Sequence, residues 1–487
     1  MLDPLSLYPL ALAAHAGRVD EFEAQQLIAA GLTLLQRSAP LVRALSGRRA
    51  AILLPTSPAF LVALGACEGR GAVLVNPLAA PREVAYQIAD AKAGAVFTIE
   101  SLADRVPDGV PLVLLDEAPR RARVSVASVV RDVDLGSHVG LSLEGDPDAA
   151  GSDDEAVIVY TSAMAGRPLG AILSHRNLLI NARATIEATR LNENDRLLAL
   201  LPFAHLFGLT GTCGAPLLAG GDVFTMARFN PSHAVDAIAN RGITAVLGVP
   251  AVFRALLSVL ERREEPAMPT LRLSVCGGAP LSPALQDRWF DVTGTELRQG
   301  YGLTEAGPVC LFNRVNRPNA RGTLGLPLPG VDVELREPVE YDGAGMPVDR
   351  SDRESPERRN AGEICVRGDN LFRGYVSNGS AGLPIRDGWL HTGDLGRRAG
   401  NGTIAFTSFL KPMITRNGFN VYPREIEHAV RELPGVVSVV ARAVERPEAE
   451  PDIEIDVVGS ASVADIKAWC EERLSAYKQP SAIQVRA

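Results

Sequence analysis

Short apolar runs alternate with amphipathic stretches along most of this chain. From residue 49 onwards AAILLP, AVLVNP and AVFTI have the character of strands, while PAFLVALGACEGRG and PREVAYQIADAKAG between them have helical spacing. The alternation returns after residue 190, where RLLALLP, DVFTM, AVLGVP and RLSVCGG are the strand candidates. This pattern predicts an α/β fold in which helices cover mainly parallel sheets.

The pattern changes twice towards the carboxyl end. Past residue 301, Gly and Pro separate short strands (GEICVRG, FRGYV, WLHTGDLG, TIAFTS), which predicts a small β-rich subdomain. From residue 411, two helices (PREIEHAVREL, VADIKAWCEERL) and two strands (VVSVVARAV, IEIDVV) indicate a compact α+β unit. We therefore predict a large N-terminal domain over residues 1–410 and a small C-terminal domain over residues 411–487. Residues 107–154 suggest a polar, irregular segment, and residues 5–14 an amphipathic first helix.

Composition narrows the range of partners. The chain has 487 residues, 46% of them hydrophobic, and a net charge of -8, so no overall basic field favours nucleic acid. Its six cysteines are scattered without a CxxC pair, which argues against zinc and for reduced thiols. Reduced thiols lead us to expect a cytoplasmic location. No apolar run reaches membrane-spanning length, so we expect no membrane span.

A loop in residues 157–174, VIVYTSAMAGRPLGAILS, carries the first chemical signal. The stretch predicts a strand, a flexible loop, and then a second strand or a helix start, the layout in which a loop meets a phosphate. Glycine N–H groups and a lysine would bind an oxyanion there. The middle of this loop is instead occupied by Ala163, Met164, Ala165 and Leu169, so the layout is present without its phosphate-binding groups.

Three further signals follow in order: LPFAHLFGL, then GGAPLS with QGYGLTEAGP, then GWLHTGDLG followed by ITRNGFNVYPREIE. Together with the loop they resemble the acyl-adenylate-forming superfamily of acyl-CoA synthetases, adenylation domains and luciferases, over nearly the whole chain. The resemblance implies two half-reactions. A carboxylate and ATP first give acyl-AMP and pyrophosphate; a small mobile C-terminal domain then rotates and a thiol, often that of CoA, displaces AMP.

The resemblance also implies roles for individual positions. Catalytic roles fall on His205 and Thr304. Nucleotide binding falls on Gly278, Ala279, Pro280, Tyr301, Thr304 and Asp394, which match positions for adenine, its stacking partner, the α-phosphate and the ribose. The acyl pocket is lined by Phe203, His205, Phe207, Val249 and Gly300, and the CoA tunnel by Gly418 and Phe419. Lys411 matches the hinge, and Glu305 the carboxylate that binds Mg²⁺.

The chain departs from the family at positions that serve adenylation. The family has Gly, Thr or Ser, and Lys in the phosphate loop, and charge-assisted hydrogen bonds of this kind contribute about 1.5–3 kcal/mol each. The chain stops at Ala487, so we expect a truncated small domain without the Gly-Lys pair that serves adenylation. Before the hinge, Ser408 and Phe409 replace a Gly-Arg pair, and Pro412 replaces an Asp after it. The thiol-tunnel stretch NGFNVYPREIE persists.

These departures predict a non-adenylating acyl-CoA ligase. It would take an acyl-AMP made by a separate adenylating enzyme and transfer the acyl group to CoA with release of AMP. Split ligases of natural-product pathways, of the platensimycin and platencin type, are similar. The sequence leaves three points open: which acyl group is transferred, whether the acceptor is CoA or a carrier protein, and whether Mg²⁺ is required. Two alternatives stay open: a conventional ATP-dependent acyl-CoA synthetase with Lys478 moved into the site, and a non-catalytic binding protein that retains the fold.

Overall fold

The structure is a computed structural model that describes residues 8–67, 71–116, 118–127, 129–136, 153–161, 167–263, 268–338, 340–341, 347–348, 361–376, 384–410, 412–416, 419–446 and 450–486. Its α-helices are α1 (Tyr8–Leu12), α2 (Ala24–Arg37), α3 (Ala39–Ala44), α4 (Pro58–Ala66), α5 (Pro81–Asp90), α6 (His175–Thr189), α7 (Ala215–Leu218), α8 (Pro231–Asn240), α9 (Pro250–Leu260), α10 (Pro283–Thr293), α11 (Pro423–Arg431) and α12 (Val463–Arg473).

The strands of the first half are β1 (Arg18–Val19), β2 (Phe22–Glu23), β3 (Arg49–Leu53), β4 (Ala72–Leu74), β5 (Ala93–Thr98), β6 (Leu112–Leu115), β7 (Arg121–Val126), β8 (Val129–Asp134), β9 (Glu155–Thr161), β10 (Leu169–Ser174), β11 (Arg196–Ala199), β12 (Asp222–Thr225) and β13 (Ala245–Gly248). Those of the second half are β14 (Leu273–Cys276), β15 (Leu297–Gly302), β16 (Val309–Phe312), β17 (Leu326–Pro327), β18 (Val331–Arg336), β19 (Glu340–Tyr341), β20 (Pro347–Val348), β21 (Ala361–Gly368), β22 (Gly374–Tyr375), β23 (Ile385–Arg386), β24 (Trp389–Arg398), β25 (Ile404–Phe409), β26 (Ile414–Arg416), β27 (Phe419–Val421), β28 (Val436–Val444), β29 (Asp452–Gly459) and β30 (Ala482–Arg486).

Two large sheets form the N-terminal domain. One has the order β17-β16-β15-β14-β13-β11-β12-β1-β2, and the other β22-β10-β9-β4-β3-β5-β6-β7-β8. Strands β11 to β15 pair in parallel in the first, and β9, β4, β3, β5 and β6 in the second, while antiparallel strands complete the edges. The inner strands are buried on both faces, which explains why they are continuous apolar runs in the sequence.

Helix α6 shows how local sequence sets an element boundary beside the phosphate loop. Its N-cap residue Ser174 accepts a hydrogen bond from the Asn177 backbone at 3.1 Å, and the Asn177 side chain accepts one from the Ser174 backbone at 2.9 Å. This reciprocal capping box ends strand β10 and starts the helix at His175. The predicted strand, loop and strand are therefore an antiparallel β9–β10 hairpin followed directly by a capped helix.

Beyond these sheets lie a β-rich subdomain and the small C-terminal unit. The subdomain sheet has the order β18-β21-β24-β23, with β25 paired to β24. In the C-terminal unit, helices α11 and α12 pack with the β28-β29-β30 sheet around a separate apolar core that includes Ile426, Ile455 and Ile466. The predicted α/β class with a β-rich subdomain and a C-terminal α+β unit is therefore confirmed. The predicted boundary at residue 411 lies outside the described residues.

Two expectations from the sequence are wrong. Helix α1 is not amphipathic: every residue from Tyr8 to Leu12 is buried, because α1 packs against α2, α4, α6 and α7. Residues 107–154 are not uniformly irregular, because they include β6, β7 and β8 at the sheet edge. Strand β8 has mostly exposed positions, so its sequence lacks the apolar signal of an inner strand. Among the described residues, no helix is both long and apolar enough to cross a membrane.

Candidate active site

The parallel strands of the first large sheet bring several predicted site residues to one edge. Val249 follows β13, the segment Gly278 to Pro280 follows β14, and β15 carries Gly300 and Tyr301. Because β13, β14 and β15 are parallel, their carboxyl ends meet at the same edge, where α/β sheets commonly bind ligands. Gly278 has a φ of +74°, which suits glycine, and it lies exposed beside partly exposed Ala279.

Tyr301 and Asp394 meet although they lie far apart in the sequence. The Tyr301 hydroxyl donates a 2.6 Å hydrogen bond to Asp394 Oδ2. Burial raises the pKa of the Asp394 carboxyl to about 6; the Tyr301 hydrogen bond opposes this rise, and Glu363 and Glu305 add to it. The residue paired with Asp394 on strand β25 is Phe409, at the position where the family resemblance implies arginine. The residue at the strand position paired with this buried carboxylate is therefore apolar.

A second pair fixes the part of strand β24 that carries Asp394, and the sequence did not reveal it. Glu363 has no exposed surface; one carboxylate oxygen lies 2.8 Å from His391 Nδ1, and the other accepts a 2.9 Å bond from the Gly393 backbone. Cys365 Sγ lies 3.5 Å from the same His391 nitrogen, and burial raises the pKa of this thiol to about 12. The sequence indicated only that Glu363 and His391 lie in predicted strands, GEICVRG and WLHTGDLG, and not that the two side chains pair.

Thr304 and Glu305 lie in the short 3₁₀ helix Thr304–Ala306, directly after β15. Tyr375 donates a 2.8 Å hydrogen bond to Glu305 Oε1. Burial raises the pKa of the Glu305 carboxyl, while hydrogen bonds from Tyr375 and Thr161 oppose the rise. One carboxylate with neighbouring hydroxyl oxygens suits Mg²⁺, which prefers oxygen donors and takes further ligands from substrate phosphates. Glu305 thus fits the predicted metal position, and its role there stays a prediction.

His205 and Phe207, which the family resemblance places beside the acyl carbonyl and which we call the gate, lie beside this edge. The Phe207 backbone donates to His205 Nδ1 at 3.3 Å, which leaves Nε2 to carry the proton of the neutral ring. Burial lowers the pKa of His205 to about 4, so the ring is neutral at pH 7. Phe207 begins a π-helix, Phe207–Gly214, and its ring lies against Gly277, where an added Cβ would come within 3.2 Å of Cε1 and Cζ. Sequence reasoning missed this need for glycine.

The other predicted acyl-pocket residues differ in how deeply they are buried. Phe203 has no exposed surface and packs edge to face on Phe60, with ring centroids 5.6 Å apart. Val249 is 6% exposed and belongs to the apolar cluster beneath α9. Gly300 is partly exposed, and a Cβ there would meet Phe312 at an ordinary 3.4 Å. The acyl-pocket roles of these residues stay predictions.

The small C-terminal domain docks against the gate. The Phe419 ring meets the His205 ring edge to face at 5.9 Å, and Tyr477 stacks on Phe419 with centroids 4.3 Å apart. Burial raises the pKa of the Tyr422 phenol, and Glu305 and Asp394 contribute to the rise, which places Tyr422 near the carboxylates of the large domain. The predicted tunnel residue Phe419 is therefore at the gate, while Gly418 and the hinge residue Lys411 lie outside the described residues.

The phosphate loop is described only at its base. Ala163, Met164 and Ala165 lie outside the described residues. Leu169 was predicted in the middle of the loop, and this is wrong: it is the first residue of β10, paired with Thr161 of β9. Lys478, which one alternative moves into the nucleotide site, is buried against Glu83 and Glu425 in this structure.

Comparisons with known proteins agree with this arrangement. The family model for AMP-binding enzyme matches residues 41–376. A feruloyl-CoA synthase from Amycolatopsis sp is 32% identical over 447 residues, which cover 90% of this chain and 84% of the relative. A long-chain-fatty-acid–CoA ligase from Escherichia coli O6:H1 is 31% identical, covering 90% of this chain and 82% of the relative. A solved malonyl-CoA ligase, in a ternary product complex with methylmalonyl-CoA and AMP, has a TM-score of 0.77 and 25% identity over 100% of this chain and 99% of that one.

Proposed function

Because this chain belongs to the AMP-binding enzyme family and is an acyl-CoA ligase of the acyl-adenylate-forming superfamily, we propose that it performs mainly the thioester-forming half-reaction. It takes an acyl group from preformed acyl-AMP, transfers it to CoA and releases AMP. The observation that carries the proposal is the docking of Phe419, on the predicted CoA tunnel, against the gate residue His205. The likeness to a ligase holding both an acyl-CoA product and AMP supports it.

In this reaction the CoA sulfur forms a bond to the acyl carbonyl carbon, and the bond from that carbon to the phosphate oxygen breaks. AMP leaves with the electron pair, and the thiol proton passes to water. His205 is neutral and weakly basic, so its part is to orient the acyl carbonyl rather than to remove the proton. Thr304 donates to the α-phosphate, and Tyr301 and Asp394 hold the nucleoside. Positioning and oxyanion stabilisation suffice because AMP is already a good leaving group.

The adenylation half-reaction has less support from the residues. The side chains of Ala163, Met164 and Ala165 in the predicted loop, and of Leu169 at the start of β10, provide neither charge nor hydroxyl groups for the β- and γ-phosphates of ATP. Mg²⁺ bound at Glu305 would serve chiefly to neutralise polyphosphate, so we propose that thioester formation proceeds without it. A separate adenylating enzyme, as in a natural-product pathway, would then supply the acyl-AMP. Val249 and Phe207 favour an apolar acyl group.

The test supplies purified protein with a panel of synthetic acyl-AMPs plus CoA, or with the matching acids plus ATP, Mg²⁺ and CoA. Acyl-CoA and AMP are measured by mass spectrometry. Acyl-CoA from acyl-AMP alone supports the proposal. Equal turnover of acid and ATP, with pyrophosphate release abolished by Lys478→Ala, favours a conventional synthetase. A folded protein that binds neither acyl-AMP nor AMP by calorimetry favours a non-catalytic binding protein.

A further inference from the structure

A buried ionic cluster joins the two domains. Lys478 Nζ, on the small domain, lies 2.7 Å from Glu83 Oε1 on helix α5 of the large domain and 2.6 Å from Glu425 Oε1 on helix α11. These side chains belong to residues only 4–9% exposed. The Ser475 hydroxyl donates to Glu83 Oε2, which also accepts a 2.9 Å bond from the Ala80 backbone. One lysine therefore pairs with two buried carboxylates, Glu425 on its own domain and Glu83 across the interface.

Lys478 is the positive charge that holds this cluster together. Burial by itself would lower the pKa of Lys478, but Glu425, Tyr477 and Glu83 together raise it above its ordinary value, so the lysine is charged. Glu425 Oε2 is buried with no hydrogen-bond partner among the described residues. Without the lysine, Glu83 and Glu425 would face each other across the interface as two buried like charges, which disfavours docking.

The cluster connects directly to the gate. Tyr477, next to Lys478 in the chain, stacks on Phe419 with planes 17° apart, and Phe419 meets His205. The ion pair between Lys478 and Glu83 therefore fixes the position and orientation of the Phe419 ring relative to His205. A second contact at the same interface, the Arg82–Glu472 ion pair at 2.8 Å, has both side chains more than half exposed. Exposed ion pairs contribute little to stability, so substitution of Arg82 serves as a control for substitution of Lys478.

We propose that Lys478 is a positioning residue that holds the small domain in the thioester-forming orientation by bridging Glu83 and Glu425. This inference rests on the proposed function, since that orientation is productive only for thiol attack. A buried ion pair adds little net stability, because each charge loses its hydration, but it strongly disfavours orientations in which the charges are unpaired. A ligase that uses one half-reaction has no need to leave this orientation.

The experiment measures orientation and activity separately. All six native cysteines are buried, so cysteines introduced by Ser101→Cys and Ser438→Cys, at exposed positions on the two domains, can carry a fluorophore pair. Single-molecule energy transfer then reports the interdomain distance. The variants are Lys478→Met, Lys478→Arg and Glu83→Gln. The controls are Arg82→Ala, at the exposed pair, and Lys467→Met, an exposed lysine on the same domain.

We expect K478M and E83Q to broaden or shift the distance distribution. They should also lower kcat/KM for CoA with acyl-AMP by about tenfold or more, within the usual range of coupling between sites. Adenosine affinity, a property of the large domain, should stay within about twofold, which also shows that the large domain is folded. K478R should recover part of the rate, and R82A and K467M should match the parent protein.

An unchanged distance distribution and thioester rate in K478M would overturn the inference. So would equal losses in K478M and R82A, which would indicate general weakening of the interface. If the parent protein makes no acyl-CoA from any acyl-AMP, the proposed function fails, while the distance measurement still decides whether Lys478 sets the orientation.

Discussion

Replacing Asp394 with asparagine should stabilise the protein while weakening nucleoside binding. The Asp394 carboxyl is largely buried and lies near Glu363 and Glu305, and its pKa is raised from 3.8 to about 6. A rise of this size corresponds to ~3 kcal/mol by which the folded state disfavours the ionised form at neutral pH. The asparagine side chain would carry no charge, and Tyr301 could still donate to its amide oxygen, so most of this cost should disappear.

The sign of the pH dependence follows from the direction of the shift. Between pH 3.8 and about 6 the folded protein holds more protons than the unfolded chain, so its stability falls as pH rises through this window. The stabilising effect of Asp394→Asn should therefore be largest above about pH 7, at ~1–3 kcal/mol. It should shrink to roughly half of that value at pH 5.

The assay is urea unfolding of both proteins at pH 7.5 and pH 5, with adenosine binding measured in parallel. Adenosine has no phosphate, so its own titration does not interfere. Native binding should weaken by about tenfold from pH 7.5 to pH 5, because the ribose needs an ionised acceptor. The asparagine variant should bind adenosine weakly at both values. A destabilised variant at pH 7.5 would show that burial of the Asp394 charge does not lower stability. Native adenosine affinity that does not change with pH would show that the ionised Asp394 carboxylate does not bind the ribose.

Three further changes test other parts of the site. Phe409→Arg restores a cation across from Asp394, so AMP binding measured by calorimetry should tighten by about tenfold at pH 7, and unchanged affinity would contradict this. Gly277→Ala brings a Cβ within 3.2 Å of the Phe207 ring, so single-turnover thioester formation should slow several-fold with little change in melting temperature. Four substitutions restore the phosphate-binding groups of the family: Ala163→Gly, Met164→Thr and Ala165→Thr in the predicted loop, and Leu169→Lys at the start of β10. They should raise affinity for ATP by about tenfold or more while AMP affinity stays constant, and equilibrium dialysis measures both.

The sequence predicts the inner strands and helices of the fold because their burial demands continuous apolar runs or helical spacing. Strand β8 escaped prediction because most of its side chains face solvent. Helix α1 was wrongly predicted to be amphipathic. All five of its residues are buried, so the helix has no exposed polar face. Both errors have one cause. A sequence pattern reveals an element when one face is apolar and the other is polar, and neither α1 nor β8 has two such faces.

At the site, ordered motifs identified Tyr301 and Asp394, and the structure joins them by a hydrogen bond. Motifs could not predict the partners of buried charges. Glu83 and Lys478 are 395 residues apart, and each would pass as an ordinary surface residue of a helix or turn. Gly277 is also invisible in the sequence, because its role depends on the close approach of the Phe207 ring.

We propose that this ligase begins from acyl-AMP. The most direct measurement compares two single-turnover rates of acyl-CoA formation in one enzyme preparation. One rate is measured with acyl-AMP plus CoA, and the other with acid, ATP, Mg²⁺ and CoA. A coupled assay follows pyrophosphate in both reactions. We predict rapid acyl-CoA formation from acyl-AMP, and neither acyl-CoA nor pyrophosphate from acid and ATP. Pyrophosphate release at a rate equal to acyl-CoA formation from acid and ATP would instead show that the enzyme adenylates its own substrate.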